Sequence, residues 1–65
     1  MEYENGRIDG SQTKKRLSQF YRDSVLITEV NHDQGYVLCS IGGGPNKRIS
    51  RDDPNLGNLI VERNR

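Results

Sequence analysis

The chain has 65 residues, with ten Lys and Arg against nine Asp and Glu, a net charge of +1 and a hydrophobic fraction of 31%. That length excludes more than one domain and allows only a thin core. The single cysteine, Cys39, and single histidine, His32, exclude an internal disulfide and a structural Cys/His metal site. The apolar residues cluster in Val25–Ile27, Tyr36–Cys39 and Leu59–Val61, which argues for a folded protein. A domain this small needs a staple or a partner, and with neither disulfide nor metal the expectation is a homo-oligomer. The first twenty residues carry no apolar core of a signal peptide, and no apolar run approaches the ~20 residues of a membrane span. A cytoplasmic, soluble protein is expected, with no membrane partner.

In chain order, Tyr3–Ile8 holds Asn5-Gly6, the preferred pair of a tight hairpin turn, so residues 1–10 read as a short hairpin or arm. Asp9-Gly10 breaks the chain, and Ser11 is the expected cap of a helix over Gln12–Arg22. Thr13, Leu17, Phe20 and Tyr21 form one apolar stripe of that helix and are assigned to the core. Lys14, Lys15 and Arg16 sit in its first turns, against the helix dipole.

Val25–Val30 and Tyr36–Ile41 read as a β-hairpin joined by the five-residue loop Asn31–Gly35. Strict alternation puts Val25, Ile27 and Glu29 on one face, opposite Leu26, Thr28 and Val30. In the second strand Tyr36, Leu38 and Ser40 oppose Val37, Cys39 and Ile41. Both strands are therefore apolar on both faces near their centres. One helix covers one face, and the other is expected to meet another subunit. Lys47–Arg51 reads as a third strand with Ile49 inward, Asp52–Asn55 as a turn, and Leu59–Arg63 as a last strand.

The segment Gly42-Gly43-Gly44-Pro45-Asn46-Lys47-Arg48 is the main candidate for chemistry. Glycines let a ligand approach the main chain, successive N–H groups can cup an anion, and adjacent cations suit phosphate. The spacing of a P-loop is absent. Cys39 in a strand centre reads as inert packing and His32 as a solvated loop residue. Asp52-Asp53 reads as turn chemistry ahead of Pro54.

The resulting expectation is a single α+β domain spanning 1–65. One N-terminal helix packs on a three- to four-stranded, mostly antiparallel sheet; a small all-β barrel is the alternative. The expected function is non-enzymatic: an oligomeric binding protein that captures a phosphate-bearing small ligand, such as a nucleotide. Its contacts would be Gly43, Gly44, Asn46, Lys47, Arg48, Arg51 and Tyr36, with no cofactor and no metal. The alternative is a small regulator or inhibitor that docks on a protein or nucleic-acid partner.

Overall fold

The computed structural model describes residues 7–63. The hairpin expected across Asn5-Gly6 lies outside them. Arg7–Ile8 form β1, which pairs antiparallel with β5, Glu62–Arg63, near the other end of the chain. Between these come α1 (Gly10–Tyr21), β2 (Val25–Asn31), β3 (Tyr36–Ile41), β4 (Asn46–Ser50) and a 3-10 turn at Gly57–Leu59. The strands β2-β3-β4 form an antiparallel meander. The sheet is open and carries a helix, so the α+β reading stands and the barrel alternative does not.

The helix starts earlier than Ser11 would set it. Asp9 is the cap: its backbone is extended and its carboxylate accepts the Gln12 N–H at 3.1 Å. A carboxylate there also offsets the cations of the first turns, because it faces the positive end of the helix dipole. The helix ends at Arg22, whose φ of 57° turns the chain into β2. Thr13 and Leu17 are fully buried and Tyr21 packs on the core, but Phe20 is 56% exposed. Phe20 is thus not a core residue; the apolar face is narrower than the stripe implied.

Strict alternation fails in β2. Ile27 pairs with Cys39 but Glu29 pairs with Leu38, leaving Thr28 as the extra residue of a β-bulge. The bulge swaps the faces for the rest of the strand. Val30 joins Val25 and Ile27 against the helix, and Glu29 moves to the opposite face with Leu26. A charge that would have pointed into the core is thereby returned to solvent. The Thr28 hydroxyl donates to the Leu38 carbonyl at 3.2 Å.

The buried set is Ile8, Leu17, Val25, Val37, Cys39, Ile49 and Ile60, with Thr13 among them. Leu56 and Leu59 pack against this cluster. The last expected strand is therefore shortened: Gly57–Leu59 coil to cover the core, and only Glu62–Arg63 pair. Thr13 ties this segment down, its hydroxyl accepting the Val61 N–H at 3.0 Å.

Candidate functional site

The β3–β4 connection is a tight turn. Gly42 and Gly43 both have positive φ, 60° and 78°, and the Gly44 N–H donates to the Ile41 carbonyl at 3.0 Å. Two positive φ values closed by that bond make a type I′ turn, which matches the twist of the flanking strands. The Gly42 N–H donates to Ser24 O at 2.8 Å, so two of the three glycine N–H groups serve the fold. The Asp23 carboxylate lies where a Cβ on Gly42 would stand. The turn is thus shaped by strand pairing and bordered by an acid, which opposes an anion rather than drawing it.

The expected ligand contacts divide into four places. Gly43, Gly44 and Asn46 lie exposed at this turn, where Gly44 O accepts the Ser40 hydroxyl at 2.7 Å. Lys47 is opposite Cys39, on the face shared with Ile49. Arg48 is on the other face, its guanidinium 4.4 Å from the centre of the Tyr36 ring. Arg51 lies beyond β4, about 16 Å of extended chain from Asn46. There it braces the β2–β3 loop: its N–H donates to Gly35 O at 2.8 Å and its side chain reaches His32 O at 3.4 Å. It also forms an ion pair with Glu62 at 3.3 Å. The structure therefore joins Tyr36 with Arg48, and separates both the glycine turn and Arg51 from them.

The face of the sheet away from α1 carries Leu26, Glu29, Tyr36, Leu38, Arg48 and Ser50. Leu26 is 61% exposed. The Tyr36 hydroxyl donates to Glu29 at 3.2 Å and accepts from Asn31 at 3.4 Å. One ring thus sits between an acid at its hydroxyl and a base over its face. Leu26, Leu38 and Glu29 were absent from the expected ligand contacts. The signal for them was Glu29 itself, a charge on the otherwise apolar face of Val25 and Ile27, which is the mark of a bulge.

Catalytic chemistry finds little to work with. Cys39 is fully buried, and burial pushes its thiol up while nearby Lys47 opposes the shift. A neutral buried thiol is a poor nucleophile. Asp53 shapes the turn after β4, its carboxylate accepting the N–H groups of Asn55 and Leu56 at 2.8 and 3.2 Å. His32 is spent on the fold, its Nδ1 accepting the Ile8 N–H at 2.9 Å. No helix among the described residues is long and apolar enough to cross a membrane. Comparison with protein-family models, with curated proteins and with solved structures gives no match.

Proposed function

We propose that this chain is a non-enzymatic binding protein that self-associates through the open face of its three-stranded sheet and carries a phosphate-bearing ligand on its cationic surface. The observation that supports self-association is the exposure of Leu26 beside Leu38 and Tyr36, on the face that the helix leaves uncovered. The same face holds one acid, Glu29, and one base, Arg48. A two-fold axis needs a self-complementary patch, and a neutral apolar strip carrying one charge of each sign meets that requirement. Arg48 of one copy can then face Glu29 of the other. Three strands of five to seven residues make a small footprint beside that of a permanent dimer, so the association is concentration-dependent.

The glycine turn supports the ligand half less than its sequence does, because two of its three glycine N–H groups serve the fold and the Asp23 carboxylate borders it. The test of self-association is light scattering across a concentration series, with native mass spectrometry beside it. The expected result is growth from the 7.4 kDa chain to twice that mass, reversed by Leu26→Glu. A 7.4 kDa species at every concentration refutes self-association and leaves the open face to a different protein, as in a docking regulator.

A further inference from the structure

Charge is unevenly distributed along this chain, and two acids, Asp9 and Asp23, bracket its most cationic stretch. From Gly10 to Arg22 there are four cations, Lys14, Lys15, Arg16 and Arg22, and no Asp or Glu. The rest of the chain holds six cations and nine carboxylates. All four helix cations are exposed. The ion pairs found among the described residues, Arg51 with Glu62 and Arg63 with Asp9, use none of them. Arg16 reaches only a carbonyl, that of Asn58, at 3.4 Å. Three of these cations lie in the half of the helix where the dipole opposes positive charge; the Asp9 cap offsets part of that penalty, and no carboxylate within the helix adds to it. The helix is therefore less stable alone than its length allows, and an external anion would relieve it.

The arrangement also fits a particular anion. Lys15 faces away from the buried Thr13 and Leu17 side of α1, with Lys14 and Arg16 on either flank, and Arg22 follows at the left-handed C-cap. Phe20, 56% exposed, lies one turn from Arg16, its ring edge-on to that of Tyr21 with centroids 5.0 Å apart. Exposed cations with an exposed aromatic ring one turn from one of them are a combination suited to single-stranded nucleic acid: cations follow the phosphates and the free face of the ring stacks on a base. We infer that the solvent face of α1 is a binding site for single-stranded nucleic acid, contacted through Lys14, Lys15, Arg16, Arg22 and Phe20. This rests on reading the chain as a binder of phosphate-bearing ligands, and it names the ligand and moves the site from the glycine turn to the helix.

The experiment is fluorescence anisotropy of a labelled oligothymidylate of about 15 nucleotides, titrated with the full chain over a salt series. With four phosphates neutralised, log K falls against log salt with a slope of about −2.8. Lys14→Ala with Lys15→Ala halves that slope, to about −1.4. Phe20→Ala weakens binding about tenfold and leaves the slope unchanged. All three positions are exposed, and circular dichroism confirms that each variant folds. Absence of binding at low salt overturns the inference, as does a slope indifferent to Lys14 and Lys15. Equal affinity for polyglutamate, with Phe20→Ala silent, also overturns it and points to an acidic protein. Binding that survives in a monomeric Leu26→Glu variant keeps this site while rejecting any need for the dimer; a dimer that ignores the oligonucleotide does the reverse.

Discussion

Gly42→Asn separates two accounts of the glycine turn. Asn-Gly is the favoured pair of a type I′ turn, so turn chemistry alone makes the substitution neutral or stabilising. The tertiary structure reverses that expectation. A Cβ on Gly42 meets the Asp23 carboxylate, which has to swing away and give up its bond to the Ser24 N–H at 2.8 Å. That carboxylate ends a short side chain at the surface, so the cost is limited to the lost bond, about 1 kcal/mol. For a domain of this size 1 kcal/mol lowers Tm by about 4–8 °C. Gly43 has φ of 78° but open space around a Cβ, so Gly43→Asn costs less than Gly42→Asn. The assay is thermal unfolding followed by circular dichroism, completed as a double-mutant cycle with Asp23→Ala. In the Asp23→Ala background Gly42→Asn should become neutral, giving a coupling of about 1 kcal/mol. A Gly42→Asn protein as stable as its parent, with Asp23 present, refutes the packing of Asp23 over the turn.

Three other expectations follow from the same contacts. Thr13→Val strips the Val61 N–H of its partner in a fully buried position and should cost about 1–3 kcal/mol, read as a lower urea midpoint at unchanged m value; Thr13→Ser should recover most of it. The Asp9 carboxyl is held below its usual range, chiefly by the Gln12 N–H, with Arg63 adding to the effect against partial desolvation. A depressed folded value means that its contribution is complete above the ordinary aspartate range and is lost as pH falls through the folded value, so Asp9→Asn should flatten the acid limb of the stability curve. Deleting Thr28 removes the one unpaired residue of β2 while keeping Ile27 opposite Cys39 and Glu29 opposite Leu38. The protein should still fold, and its straightened edge should associate more readily, as seen by light scattering.

The hairpin of β2 and β3, the inward Ile49 and the helix could all be read from residue order, because each is a local pattern of apolar period or turn chemistry. What could not be read came from contacts distant in sequence. Ser11 and Asp9 are both good caps, and the choice fell to Asp9, whose backbone is also fixed by pairing with Val61 across the molecule, its N–H donating to Val61 O at 2.9 Å. Phe20 looked like core because it completes a helical stripe. A sheet with only three strands gives that stripe room for Leu17 and Tyr21, and Phe20 is left outside. Arg51 looked like a ligand contact because it follows Lys47 and Arg48, yet it packs where Gly35 has no side chain, and that gap was invisible until the loop closed.

The bulge at Thr28 connects these points to the question of function. Without it, Glu29 would face the helix side of the sheet and Val30 the open side. The core would then hold a buried carboxylate with no cation beside it, which costs more than a domain of this size can spare. The open face, in turn, would lose its acid and keep Arg48 as a charge without an opposite partner. With the bulge, the face keeps its leucines but gains one acid beside the Tyr36 ring, and Arg48 comes over that ring from β4. One inserted residue therefore keeps a carboxylate out of the core and leaves the open face with one charge of each sign. The helix on the opposite side makes no use of that balance. Its four cations enter neither ion pair found among the described residues, so the two sides carry different charge and can be altered one at a time.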